Sequence, residues 1–272
     1  FDWQEWSASV SRRMGKLSLG ARIKYLTGVS ALNTVPERNT MRIYTDPDIY
    51  QLSLATDYAF YSSSIISSID TAGLGFDFVT GSFGKKPSVN NSGVAFDLGF
   101  EAKLSENLSV NASVLNLGGK INWKRDANYF YSKNEYTYEG GTFPGTDIIN
   151  GADSINFDSK LDTLNDIFQF QKQAATFETT IPLRVLAGGT FKFSERWQMG
   201  VHAYYQKTDN RTNTAMGVSL RWLPLRWLSL GAMYSANSRS SANIGFHVAV
   251  TPGPIQMYFA SDNLLNAFSL KS

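Results

Sequence analysis

Between residues 183 and 261 the chain alternates apolar and polar side chains in successive runs of about ten residues, with little sequence between the runs. In one run Trp197, Met199, Val201, Ala203 and Tyr205 fall on one side, and Gln198, Gly200, His202, Tyr204 and Gln206 on the other. Successive side chains of an extended strand point to opposite faces, so a period of two specifies a strand with one apolar face and is incompatible with a helix. The next run sets Met216, Val218, Leu220 and Trp222 against Ala215, Gly217, Ser219 and Arg221. The pattern continues through Leu228, Leu230, Ala232 and Tyr234, then Ile244, Phe246, Val248 and Val250, then Ile255, Met257 and Phe259. Consecutive antiparallel hairpins are predicted.

The same alternation recurs at 17–25, 50–58, 94–103 and 108–114, and more weakly at 4–12 and 39–45. Together these runs predict about 12 strands, about 14 in a complete protein. Six connections carry tight-turn chemistry: Arg13-Met14-Gly15, Asp46-Pro47-Asp48, Ser105-Glu106-Asn107, Ser194-Glu195-Arg196, Pro224-Leu225 and Pro252-Gly253-Pro254. Longer links at 29–38, 61–91, 119–181, 208–212 and 235–240 alternate with them, which predicts short turns at one end of the strands and longer loops at the other.

Ten residues tilted by about 40° rise roughly 25 Å, the height of the apolar band of an outer-membrane barrel. No run reaches the roughly 18 consecutive apolar residues of a membrane helix. The soluble alternative is a β-sandwich, whose strands also have one polar face. Here the polar faces hold Gly, Ser, Ala and Asn rather than Lys and Glu, which favours the barrel. The reading is therefore all-β, an antiparallel up-and-down transmembrane barrel forming a single domain over 1–272. A truncation is expected at the N-terminus and before the last strand, because the chain opens on Phe1-Asp2-Trp3 without a leader.

Aromatics near the strand ends predict two interfacial girdles: Phe193, Trp197 and Trp222 toward the short turns, Tyr25, Phe60, Tyr205 and Tyr234 toward the long loops. If the apolar faces meet lipid, the lumen receives Arg22, Lys24, Asp57, Asp97, Glu101, Lys103, Arg184, Lys192 and Arg221. These charges form either a conduit lining or a salt-bridged filling. The cost of burying unpaired charge favours the filling.

The link 119–181 carries Tyr129, Phe130, Tyr131, Tyr136 and Tyr138, followed by Leu161, Leu164, Ile167 and Phe168 at helical spacing. A short helix over about 158–175 is expected, in a loop that serves as a plug, as a partner-docking element or as a packed surface loop. The chain has two histidines, His202 and His247, on polar faces, and Ser219 or Ser229 stands on an intervening strand. A hydrolase built on them lacks any supporting motif, so no enzyme activity is expected. No cysteine is present, and no metal or cofactor is expected. The formal net charge of +2 is dispersed, so nucleic acid is not expected as a partner.

Three segments carry a resemblance: KLSLGARIKYLTGVSALNT over 16–34, VAFDLGF over 94–100 and LSVNASVLNLG over 108–118. In that order they resemble the Bacteroidota barrel family catalogued as domain of unknown function 5723. The stretch SDNLLNAF over 261–268 is similar to the loop before the last strand in that family and in PorP/SprF-like barrels. The resemblance implies an outer-membrane location, contact with lipid and lipopolysaccharide, and no catalytic residues to carry over. PorV-like and PorP/SprF-like relatives work with the type IX secretion machinery and FadL-like barrels move apolar solutes. The resemblance thus implies a scaffold or accessory of an envelope complex that meets a protein partner at its long-loop face. A conduit for small or apolar solutes is the alternative, and a barrel hydrolase a more distant one.

Overall fold

The structure is a computed structural model that describes residues 1–45, 52–69, 76–78, 87–138, 170–209, 211–238 and 240–261. In chain order the strands are β1 (Asp2–Met14), β2 (Leu17–Thr34), β3 (Thr40–Thr45), β4 (Leu52–Ser63), β5 (Ile66–Ile69) and β6 (Phe76–Phe78). There follow β7 (Ser88–Lys103), β8 (Leu108–Leu117), β9 (Lys120–Trp123), β10 (Ala127–Tyr138), β11 (Gln171–Ala174) and β12 (Phe177–Thr180). The last six are β13 (Leu183–Lys192), β14 (Trp197–Lys207), β15 (Thr212–Leu225), β16 (Leu228–Asn237), β17 (Ser240–Val250) and β18 (Met257–Ser261). The fold is all-β: a 16-stranded antiparallel sheet, with β5 and β6 paired separately and one 3₁₀ turn, Pro36–Arg38, among the described residues.

Three expectations are corrected. The strands exceed the expected 12, because the 61–91 link holds β5 and β6 and 119–181 is not one long loop but holds β9 to β12. Within the helix expected over 158–175, Gln171–Ala174 is a strand paired with Asn128–Tyr131, while 158–169 lies outside the described residues. The up-and-down order holds from β13 to β18 and β8 pairs with β13 across the 119–181 link as expected, but β4 pairs with β10 and β2 neighbours β7, so the remainder is not a simple meander.

The chain divides into two compact units, and β1, β2 and β7 pass through both. Unit 2 comprises 6–25, 94–120 and 180–272. Its turns follow the expected chemistry: the hydroxyls of Ser105 and Ser194 each accept hydrogen bonds from the backbone N–H groups two and three residues ahead, and Gly15 turns at φ 61°. Both ends of the β13–β17 meander are short, however. Thr208 closes the β14–β15 hairpin on Arg211, and Asn237 pairs with Ser240 to close β16–β17. The expected longer links are therefore corrected: β14 and β15 leave only 208–211 between them, and at 235–240 the polar Ser235, Asn237 and Ser240 continue the ladder.

Unit 1 comprises 1–5, 26–93 and 121–179. It contains the largest fully buried side chains among the described residues, including Trp123, Phe130, Leu26, Ile121 and Asn91. β4 and β10 pair over twelve consecutive residues, Leu52–Ser63 with Ala127–Tyr138. Along the other edge of β4, Ala31–Thr34 of β2 pairs with Phe60–Ser63, and Thr40–Thr45 of β3 pairs with Leu52–Asp57. The 29–38 link is thus strand as far as Thr34, and the 3₁₀ turn bulges from one long ladder. Its ends are tied to Ala59, whose carbonyl accepts from Val35 N at 3.0 Å and whose N–H donates to Asn39 Oδ1 at 3.3 Å.

The packing in unit 1 leaves little freedom at certain positions. A Cβ on Gly28 would stand 2.5 Å from the buried Trp123 ring, so only glycine lets β2 approach it. Asn91 fixes the β9–β10 turn: its Oδ1 accepts from the N–H of Lys124 at 2.9 Å and of Arg125 at 2.8 Å, and its Nδ2 donates to Ser63 Oγ at 3.3 Å.

Candidate functional site

Strand pairing in unit 2 aligns the alternation across the sheet. One row runs Val110, Gly189, Val201, Val218, Tyr234, Ile244, and the next runs Leu108, Phe191, Met199, Leu220, Ala232, Phe246. A third runs Trp197, Trp222, Leu230, Val248, Phe259, and Trp197 stacks on Trp222 with centroids 5.5 Å apart. Val201, Met216, Val218, Leu220, Met257 and Phe259 on this face are exposed, Val218 by 47%. Contiguous exposed apolar patches mark surfaces that meet a protein partner or a membrane.

The opposite face carries the polar set. Glu101, Asn111, Gly188, His202, Gly217, Ser235 and Asn243 form one row; Lys103, Ser109, Thr190, Gly200 and Ser219 form another. Lys192 pairs with Gln198, which pairs with Arg221, and Arg184 pairs with Gln206. Glu101, Lys103, Arg184, Lys192 and Arg221 are exposed, and Arg221 Nε donates to Ser229 Oγ at 2.8 Å.

Of the nine charges read as a lumen set, the structure joins three. Lys24 and Asp97 are buried and form an ion pair at 2.9 Å, with Arg22 Nη1 at 4.0 Å from the same carboxylate. Asn116, at φ 61°, completes the cluster: it accepts from Lys24 Nζ at 2.8 Å, its N–H donates to Asp97 at 2.9 Å, and its Nδ2 donates to Pro182 O at 3.0 Å. Multiple hydrogen bonds are what make a buried ion pair tolerable. The sequence reading missed Asn116, although the Asn-Leu-Gly-Gly run was a turn signal for it.

The histidines sit over glycines that make room for them. A Cβ on Gly200 would lie 2.8 Å from His202 Nε2, and one on Gly231 would lie 2.0 Å from a His247 carbon. His202 Nε2 is 3.3 Å from Ser219 Oγ, a separation compatible with proton transfer. Both residues lie mid-strand, however, with β14 and β15 paired on both edges, so the neighbouring backbone N–H groups serve the ladders rather than an oxyanion.

Asp57 belongs to unit 1 and pairs with a residue the sequence reading passed over. Arg38, on the bulge, donates from Nε to Asp57 at 2.9 Å and from Nη1 to Tyr129 OH at 2.7 Å. Desolvation works against the guanidinium charge, but the hydrogen bonds it donates to Asp57 and Tyr129 outweigh it and raise its pKa above the ordinary arginine value. Tyr129, Phe130 and Tyr131 are residues of β10 rather than of a loop. Phe130 is buried and stacks on Phe60 at 5.1 Å, so Phe60 packs within unit 1. The side chains of Tyr136 and Tyr138, and Leu161, Leu164, Ile167 and Phe168, lie outside the described residues. Tyr25, Phe193, Trp197, Tyr205, Trp222 and Tyr234 are exposed.

Fold and surface together define an all-β protein whose antiparallel sheet carries a broad exposed apolar face and a polar face with a buried ion pair. The chain belongs to the family of unknown function DUF5723, whose model matches residues 2–262. No curated protein matches it.

Proposed function

We propose that this chain is an outer-membrane β-barrel whose unit 2 apolar face meets lipid, and that it serves as a non-enzymatic scaffold or accessory of an envelope complex, of the kind that includes type IX secretion partners. The observation that carries the membrane reading is the set of register-aligned rows of exposed apolar side chains from β8 to β18. Strands of ten or eleven residues, such as β13, β14 and β17, match the apolar band. Pairing of β14, β15 and β16 on both edges agrees with the rule that lipid tolerates only strands whose backbone groups are bonded.

The scaffold reading draws on β3, where Met41, Ile43 and Tyr44 are exposed on a hairpin with few other roles for apolar side chains. The absence of oxyanion donors beside His202 and Ser219 supports a non-enzymatic role. Extraction from native membranes in mild detergent tests it: a stoichiometric protein partner that is lost on Ile43→Asp supports the scaffold, and a chain that purifies alone contradicts it.

A FadL-like or porin-like conduit is the second reading, favoured by the polar rows of β13 to β17 and the exposed Arg184, Lys192 and Arg221 beside them. Conductance or solute uptake in proteoliposomes would establish it. A sealed bilayer would remove it and agree with a lumen filled by the Lys24–Asp97 cluster.

A further inference from the structure

The apolar face of unit 2 is hollowed where β1, β2, β7 and β8 lie side by side. A groove of about 540 Å³ opens there between Val10, Leu19, Leu98, Phe100 and Val114, and the short side chains of Ala21 and Ala112 give it depth. Phe100 pairs with Ala112 and Leu98 with Val114, so the lining belongs to the apolar side of the alternation. The groove is open, with Val10 71% and Leu98 51% exposed. Arg12 also lines it, two residues on from Val10 toward the turn at Gly15.

The turns at that end of the strands are basic. Arg12, Arg13 and Lys16 stand exposed around Gly15, and Arg13 Nε donates to Gly15 O at 3.3 Å. The carbonyl of Lys16 accepts from the N–H of Lys103 at 2.8 Å, which brings a fourth exposed cation from β7. The next hairpin continues the series: the N–H of Lys192 donates to Asn107 O, and both Lys192 and Arg196 are exposed. Against these cations the two turns carry Glu106 and Glu195, while Glu101 belongs to the opposite face with Asn111. None of the cations forms an ion pair among the described residues.

An apolar groove that runs to a cluster of cations fits a ligand with a negative headgroup at the end of a hydrocarbon chain. A lipid chain entering it leaves one apolar medium for another, so it gains packing but no hydrophobic transfer energy. Selectivity then rests on the headgroup, because each Lys or Arg near a membrane surface attracts anionic lipid. Arginine forks match phosphate oxygens, and lysines at strand ends lay their stems on apolar surface while the ammonium stays in the polar layer. The row Val110, Gly189, Val201 continues the apolar face beside the groove and offers a place for a second chain. We propose that this groove holds one acyl chain of an anionic phospholipid, and that Arg12, with Arg13, Lys16 and Lys103, binds its phosphate. The proposal rests on the reading that this face meets lipid, and adds which lipid is held and where.

A bimane label tests this in the full chain, attached at Ala102→Cys, the next position after Phe100 on the groove side of β7, or at Ile244→Cys, on the apolar row of β17. The protein is placed in bilayers of phosphatidylcholine and phosphatidylglycerol, one of which carries brominated chains that quench the label on contact. At Ala102→Cys and low salt, phosphatidylglycerol is expected to associate about fivefold more strongly than phosphatidylcholine, and at Ile244→Cys the two equally. Arg12→Gln, Arg13→Gln and Lys16→Gln together should bring the Ala102→Cys ratio to parity. Salt at about 1 M should do the same without any substitution, which keeps the test valid if that variant fails to fold. Equal quenching by both lipids at both labels, a phosphatidylglycerol preference of the same size at both, or one that survives salt overturns the lipid site and leaves the membrane reading standing. No quenching at either label removes the membrane reading and the site with it.

Discussion

The two units use the same antiparallel pairing to opposite ends. Unit 1 turns its large side chains inward: Trp123, Phe130 and Leu26 are fully buried, and its polar residues Asn91, Ser63 and Ser132 are buried with them. Unit 2 turns its apolar side chains outward, with Val201, Met216, Val218 and Leu220 exposed in aligned rows, while its buried polar chemistry is concentrated at Lys24 and Asp97. Strand pairing therefore does not dictate where the apolar surface goes. Unit 1 is organised around a packed core and unit 2 around aligned rows of exposed apolar side chains.

Substitutions separate these two modes. Trp123→Ala should cost unit 1 about 3–5 kcal/mol, read as a fall in the denaturant midpoint, because it empties a packed site and releases the ring against which Gly28 is fitted. In unit 2, Val218→Arg sharpens the contrast. A lipid-facing position should lose about 2–4 kcal/mol in refolding into bilayers. A water-facing residue of the same 47% exposure should change by no more than about 0.5 kcal/mol. Asn91→Ala leaves the N–H groups of Lys124 and Arg125 without their side-chain acceptor and should cost about 1–3 kcal/mol in the same denaturation assay. Asp57→Asn is the mildest, below about 1 kcal/mol, since the Arg38 pair is partly solvated and Tyr129 still accepts from the guanidinium. A loss for Asp57→Asn as large as that for Trp123→Ala would erase the distinction between core and rim in unit 1.

The same contrast explains what could be read in the sequence. Unit 2 alternates cleanly because one face of its ladder carries apolar rows and the other polar rows, so β14 to β17 are visible at once from Val201, Val218, Tyr234 and Ile244. Along β10 in unit 1 both faces carry packed aromatics, and alternation fades. Tyr129 and Tyr131 point to one face and Phe130 to the other, so the run carries aromatics on both sides and read as a loop. Arg38 escaped notice because its role depends on a bulge that sequence spacing did not signal. The pairing of Lys24 with Asp97 joins β2 to β7, and only the sheet order brings them together. Of the expected charge set, Arg22, Lys24 and Asp97 assembled, while Asp57 found its partner elsewhere.

The account turns on the medium beside the unit 2 rows, and the lack of native cysteine allows it to be probed residue by residue. Single cysteines placed in turn at positions 215 to 220, spin-labelled and measured in bilayers, report collision with oxygen, which concentrates in lipid, or with a water-soluble nickel chelate. The account predicts a period of two: oxygen contact highest at Met216, Val218 and Leu220, and chelate contact highest at Ala215, Gly217 and Ser219. Equal chelate access on both faces would contradict it.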